Sequence, residues 1–330
     1  MYKLEDIKEI HLEITSKCQA KCPMCPRRIN GGIENPLIAL EEITLDTFKS
    51  WFPVDFIKQL NKVFMCGNYG DPIIAKDTLE IFDYLRNTNP NIRLDMHTNG
   101  SARDKGWWER LAKLGVRVVF GIDGLADTHH LYRISTDWHK IIENATAFIN
   151  AGGHAEWHML VFSHNEHQID ACKELSNKIG FANFSVKHTT RFDQGKFNVL
   201  DNTGKTINIL YPTQKSKDMI SKVVQYITDV NPVITCKVKQ YKQFYVSALG
   251  NITPCCWTDM KEKLHKQDTR IDFMDKIGEF PNLYDSTLEE IFASGYFDKI
   301  ESTWKDSPLM ECSKQCGSFD RLGEQFVNRN

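Results

Sequence analysis

Glu9 to Thr15 (EIHLEIT) and the ten residues behind it, Ser16 to Cys25 (SKCQAKCPMC), decide how this chain is read. Ile10, Leu12 and Ile14 alternate with polar neighbours, the period of a strand with two unlike faces. That strand runs straight into Cys18, Cys22 and Cys25, a CxxxCxxC spacing. Three thiolates this close can hold three corners of a cubane iron-sulfur cluster and leave one iron without a protein ligand. An open iron is a place for chemistry. The rival reading, a zinc ligand set, lacks its fourth member, and a strand leading into the cysteines favours the redox reading.

Working outward, periodicity predicts further strands at Lys62 to Cys66, Ile92 to His97, Arg117 to Ile122, Ala155 to Phe162 and Phe184 to Lys187. Helix-period segments fall between them: Leu45 to Gln59 after Thr44 as cap, Thr78 to Asn87 after Asp77, Lys105 to Leu114 ended by Gly115, Trp138 to Asn150 ended by Gly152, and Glu166 to Ile179 ended by Gly180. Such alternation requires parallel strands joined by right-handed crossovers, in a doubly wound sheet or a full or partial barrel. In either, the working end is where strand C-termini meet the loops. Beyond Arg191 the rhythm fails. A polar, Lys- and Asn-rich stretch with one helix, Lys215 to Thr228, reads as a connector. From Cys236 onward a cysteine-bearing segment follows, with a strand-like piece at Gln243 to Leu249 and a helix at Thr287 to Ser294.

The length, 330 residues, points to about two domains. Lys plus Arg number 41 against 43 Asp plus Glu, so the net charge of -2 supplies no broad positive field of the kind that nucleic acid or membrane binding needs. Met1 to Ile10 lacks the apolar core of a signal peptide, and no apolar run approaches the roughly 20 residues that span a bilayer. A soluble cytoplasmic protein is expected. Seven of the ten cysteines stand in short clusters, which in a reducing compartment favours ligation of soft metals over disulfides. Cys66 and Cys172 stand apart and read as buried small hydrophobes.

These motifs resemble those of the radical S-adenosylmethionine (radical SAM) enzymes, followed by an auxiliary-cluster domain of the SPASM or twitch type. The resemblance implies a 4Fe-4S cluster on Cys18, Cys22 and Cys25 whose open iron chelates S-adenosylmethionine, and one-electron cleavage of that cofactor to a 5'-deoxyadenosyl radical. Met24 stands where the family usually places an aromatic residue near the adenine; polarizable Met can still cover a ring. Gly67, Asn68, Tyr69, Gly70 and Asp71, ahead of Pro72, occupy the place of the family's Gly-Gly-Glu-Pro motif, with Asp71 keeping the charge of the glutamate. Thr98, Asn99 and Gly100 close the third strand. Gly121 to Gly124 close the fourth and resemble a Ser-Ile-Asp-Gly motif. By that likeness Asn99 and Asp123 would bind ribose or methionyl carboxylate, although Asn and Asp beside Gly also suit ordinary turns. His158, and Lys187, His188 and Arg191 after the sixth strand, would face the same mouth, His158 toward cofactor and the other three toward substrate.

Cys236, then Gly250, four residues and Cys255, resembles the opening of a SPASM or twitch domain, and Cys312 and Cys316 follow in CxxxC spacing. Four thiolates suffice for one auxiliary 4Fe-4S cluster, or for a structural zinc. Cys256 adjoins Cys255, and neighbouring side chains in extended backbone point to opposite faces, so both are not expected on one cluster. The expected architecture is α/β: an incomplete (β/α)6 TIM-type barrel over 1–191, a connector over 192–235 and a small α+β twitch-like domain over 236–330. The expected reaction is hydrogen abstraction from a peptide or protein side chain, with an electron donor such as flavodoxin or ferredoxin. No separate peptide-recognition domain is expected before the first strand, which keeps radical dehydrogenation of a small sugar or alcohol as the alternative. A non-catalytic iron-sulfur or zinc scaffold is the reading from another class.

Overall fold

Six strands follow one another in sequence order across a parallel sheet: β1 (Glu9–Leu12), β2 (Lys62–Met65), β3 (Arg93–Thr98), β4 (Val116–Gly121), β5 (His154–Leu160) and β6 (Asn183–Lys187). The computed structural model describes residues 1–226, 232–259 and 268–318. Between the strands lie α1 (Leu45–Trp51), α2 (Val54–Gln59), α3 (Thr78–Thr88), α4 (Lys105–Lys113), α5 (Ala126–His129), α6 (Trp138–Asn150) and α7 (Ile169–Ile179). The result is an α/β partial barrel. The single helix expected over Leu45 to Gln59 is two, because Pro53 forces Phe52 into extended backbone at φ -121, ψ 95.

One face of the sheet is apolar. Ile10, Leu12, Val63, Met65, Leu94, Met96, Val118 and Phe120 are buried against helix residues such as Phe48, Phe82, Trp108 and Phe148. Alternate residues on the other face are polar or aromatic: His11 and Phe64 have ring centroids 4.8 Å apart, Phe64 and His97 4.8 Å, and His97 and His158 5.7 Å. Burial holds these histidines neutral, with His11 and His158 lowered to about 4 and His97 to about 3.

The C-terminal region is joined to this sheet. After β7 (Phe197–Leu200), β8 (Thr206–Leu210), α8 (Gln214–Tyr226), β9 (Val233–Ile234) and α9 (Lys237–Tyr241), strand β10 (Gln243–Val246) pairs in parallel with β1, placing Phe244 beside Ile10 and Tyr245 beside His11. β11 (Ile252–Thr253) adds antiparallel outside it. The chain continues through α10 (Asp268–Lys276), α11 (Leu288–Ala293), α12 (Tyr296–Asp306) and α13 (Met310–Cys316) to β12 (Gly317–Ser318), which returns to β9. Phe244, Val246, Ile252, Phe273 and Ile300 belong to the same apolar core as the barrel. The connector holds the expected helix and also an unexpected hairpin, β7 with β8. The helix's expected end at Thr228 and the last residues of the 236–330 segment lie outside the described residues.

Candidate functional site

The first cysteine loop leaves β1 under restraint. Ile43 N donates to the Ile14 carbonyl at 2.8 Å and the Ser16 hydroxyl to the Ala39 carbonyl at 2.7 Å, so residues 39–43 strap the strand's end. Beyond it, Cys25 N donates to the Cys22 carbonyl at 3.0 Å, and the Cys22 thiol lies within electrostatic reach of both Cys18 and Cys25. All three are free. Burial raises Cys18, helped by Asp71 and Cys22, and pushes Cys22 up to about 11, so iron must displace thiol protons to bind. Three soft donors on one turn, with no disulfide among them, fit three corners of a cubane. Behind the loop, Ala20, Cys22 and Met24 pack with Tyr132, Phe162, Val199 and Leu210. The hairpin thus closes on the cysteine loop, and Met24 is buried in that packing with its carbonyl accepting from Arg191 at 3.2 Å.

A cavity of about 310 Å³ opens at the C-terminal ends of the strands, within the roughly 300–1,000 Å³ of small-molecule sites. Asp71, Asn99, Asp123, His158 and Lys187 line it, and so do Cys66, His97 and Arg133, which sequence reasoning did not place there. His188 and Arg191 are not in its wall; His188 Nδ1 lies 3.3 Å from the Thr213 hydroxyl. Cys172 is fully buried as expected, whereas Cys66 is half-buried against the cavity. A larger cavity, about 590 Å³, opens at the other end of the strands among Arg93, Asp95, Arg117 and Glu156. No cysteine lines it, and parallel barrels place their chemistry at the opposite end.

The loops at the mouth are cross-braced. Asp71 is buried, which raises its pKa, and it accepts from Asn99 N at 2.7 Å, Asn99 Nδ2 at 2.6 Å and Thr98 Oγ1 at 2.8 Å. Asn99 in turn receives Gln19 Nε2 at 2.8 Å and holds its own Nδ2 3.7 Å from Cys18 Sγ, joining the third strand's loop to the first cluster loop. Asp123 is fully buried: its carboxylate pairs with Arg133 Nε and accepts from Leu160 N at 2.6 Å. Arg133 carried no local signal, since only the fold returns the segment after α5 to Asp123.

Gly67 to Asp71 wrap a residue that sequence reasoning missed, Glu13. It is 1 % exposed, and burial raises it to about 7. Its position in an alternating strand looked like any solvated polar residue.

The second cysteine group assembles from separate elements. Cys236 at the start of α9 and Cys316 at the end of α13 hydrogen-bond through their thiols, which raises Cys236 and lowers Cys316 to about 6. Cys255 feels Cys316, and Cys312 feels both. Burial pushes Cys255 up to about 11. Four free thiols from these elements have the donor number and softness that one cluster needs. Cys256 lies in the turn after β11, within electrostatic reach of Cys255 and also of Cys66, Glu13 and Asp259.

Two family models match the chain: the radical SAM superfamily over residues 12–175 and an iron-sulfur cluster-binding domain, SPASM, over residues 236–317. The chain belongs to the radical SAM superfamily and carries a SPASM domain. Its cofactors are those of that family, 4Fe-4S clusters and S-adenosylmethionine. No curated protein matches it in sequence. Among solved structures it resembles SuiB of Streptococcus suis bound to S-adenosylmethionine, at TM-score 0.54 and 14% identity, over 92% of this chain and 66% of that one. SuiB bound to its precursor peptide SuiA gives TM-score 0.54 and 15% identity, over 92% and 65%. Native anSMEcpe with bound AdoMet and the Cp18Cys peptide gives TM-score 0.56 and 17% identity, over 94% and 88%. The chain thus spans about two thirds of the length of SuiB. No helix among the described residues is long and apolar enough to cross a membrane.

Proposed function

We propose that this enzyme abstracts a hydrogen atom from a peptide or protein side chain that is thereby oxidised, cross-linked or otherwise modified. The observation that carries this reading is the setting of Cys18, Cys22 and Cys25: three free thiols on one loop, tied through Asn99 to the wall of the 310 Å³ cavity. Cys18, Cys22 and Cys25 would hold the first cluster, and Cys236, Cys255, Cys312 and Cys316 a single auxiliary one. With S-adenosylmethionine bound at the first cluster, its reductive cleavage would supply the 5'-deoxyadenosyl radical.

The chain's own residues position the cofactor and exclude water. Asp71, Asn99, Asp123 and His158 line the cavity and would form its cofactor side, with Gly67 to Gly70 in the loop that carries Asp71; Lys187 would form the side left for substrate. His188 and Arg191 stand outside the cavity wall and would meet only a substrate that extends beyond it, as a peptide does. Peptides bound by SuiB and anSMEcpe support that substrate class. The family's usual electron source, flavodoxin or ferredoxin, and the cytoplasm are the setting we propose.

Reconstituted protein given reductant and S-adenosylmethionine should form 5'-deoxyadenosine, and formation should rise with whatever peptide co-purifies. A rise with a sugar or alcohol instead would assign small-molecule dehydrogenation, and no cleavage at all would leave a binding scaffold.

A further inference from the structure

The loop Gly67 to Asp71 is fastened to the C-terminal region as well as to β1. One carboxylate oxygen of Glu13 accepts from Tyr69 N at 2.7 Å and Gly70 N at 3.1 Å; the other accepts from the Tyr245 hydroxyl. Tyr245 lies in β10, and Glu13 N itself donates to the carbonyl of Val246 at 2.9 Å. Two more bonds run the same way. Asn68 Nδ2 donates to the Cys256 carbonyl at 2.8 Å, and the Tyr69 hydroxyl to the Asp259 carbonyl at 3.4 Å. The segment so gripped, Tyr245 to Asp259, carries Cys255, which neighbours Cys316 and Cys312.

The fit leaves no slack. A Cβ at Gly67 would collide with the Glu13 carboxylate and one at Gly70 with the Thr15 carbonyl, so the loop cannot slide while Glu13 stays in place. Nor can Glu13 let go cheaply, because a buried carboxylate stripped of its donors bears its full desolvation penalty. Loop and C-terminal segment therefore shift together or stay together.

We propose that Glu13 and Tyr245 are positioning residues that make S-adenosylmethionine binding at the barrel mouth and loading of the C-terminal cluster depend on each other. This rests on the functional reading above. A cluster on Cys255 orders the segment, the segment orders the loop, and by linkage bound cofactor must favour the loaded segment by the same factor, typically about 5- to 150-fold between coupled sites. Double-mutant logic isolates the coupling from any general loss of stability.

The test measures S-adenosylmethionine affinity by equilibrium dialysis on the anaerobically reconstituted full chain, with and without Cys316→Ala, in wild-type and Tyr245→Phe backgrounds. Loss of the C-terminal cluster should weaken binding about tenfold in the wild-type background and less than about twofold once Tyr245→Phe has cut the link. Glu13→Gln, which keeps an acceptor oxygen, should retain most of the coupling, and a tenfold effect that persists in Tyr245→Phe overturns the role given to that residue. Should Tyr245→Phe fail to fold, Asn68→Ala, which removes the bond to the Cys256 carbonyl, takes its place and should lower the coupling. Equal affinity in cluster-loaded and cluster-deficient protein in the wild-type background overturns the coupling. Wild-type protein that binds no S-adenosylmethionine overturns the functional reading instead.

Discussion

The two cysteine sites differ in how they are made. Cys18, Cys22 and Cys25 come from one turn after one strand, and their geometry is set by local backbone plus a small apolar cluster behind it. Cys236, Cys255, Cys312 and Cys316 come from the start of α9, the turn after β11, and both ends of α13, so they meet only when the C-terminal fold is complete. Cysteines on one loop owe their spacing to their own neighbours, whatever the ligand beside them depends on; cysteines from distant pieces depend on everything that brings them together. The first is where the proposed chemistry would take place, and the second is joined to its strand through β10.

Substitution should separate the sites most sharply. Cys255→Ala or Cys316→Ala should remove about four irons per chain, the content of one 4Fe-4S cluster, while leaving S-adenosylmethionine cleavage measurable in the absence of substrate turnover. Iron and sulfide analysis beside a 5'-deoxyadenosine assay reads both, and an unchanged iron count would break the assignment of the second site.

Asp71→Ala should come next. It strips Asn99 and Thr98 of a buried acceptor and loosens the contact from Asn99 to Cys18. If about one such bond to a charged group, roughly 1.5–3 kcal/mol, is carried into the cofactor site, S-adenosylmethionine binding weakens by about ten- to a hundredfold. Unaltered affinity would show that Asp71 braces nothing the cofactor uses.

Leu210→Ala tests whether the hairpin guards the first site alone. Leu210 is 1 % exposed and packs with Val199, Met24 and Cys22. Truncating such a residue costs about 2–5 kcal/mol where the site cannot collapse, so oxygen should bleach the first cluster faster than in wild type while the C-terminal cluster decays at its usual rate. Equal acceleration at both would mean that the hairpin stabilises the whole fold rather than one loop.

The smallest effect is on acid stability, and it belongs to the barrel. Burial lowers His11, His158 and His164 to about 4 and His97 and His129 to about 3, against 6.5 for an exposed imidazole. Unfolding lets these five bind protons, so their stabilising contribution is present above about 6.5 and is lost as pH falls toward 4. Glu13 works the other way: raised from 4.5 to about 7, it favours the folded state at low pH and loses that contribution as pH rises across the same window. Asp71, which burial also raises, acts in the same sense as Glu13, and five imidazoles outweigh two carboxyls. The melting temperature should fall between pH 6.5 and 4, and His97→Phe should flatten part of that decline; a melting temperature independent of pH there would contradict the neutral histidine band.

Legibility in the sequence followed the same division. CxxxCxxC after an alternating strand, and strand and helix periods up to Lys187, gave the barrel and its first site because each depends on residues near one another. Arg133 on Asp123, Tyr245 on Glu13, and the parallel pairing of β10 with β1 depend on contacts between distant segments, for which periodicity has no signal. The hairpin was visible in retrospect: Phe197 to Leu200 and Thr206 to Leu210 flank Asp201 and Gly204, a turn composition between two short β-forming runs. Pro53, inside an otherwise periodic stretch, likewise signalled the break between α1 and α2.

The central claim is that Cys18, Cys22 and Cys25 make a cluster that cleaves S-adenosylmethionine, and one assay meets it directly. Anaerobically reconstituted chain with reductant and S-adenosylmethionine is assayed for 5'-deoxyadenosine beside the Cys18→Ala, Cys22→Ala, Cys25→Ala triple variant. Product from the wild type and only uncatalysed background from the variant is the predicted result; undiminished product from the variant would contradict it.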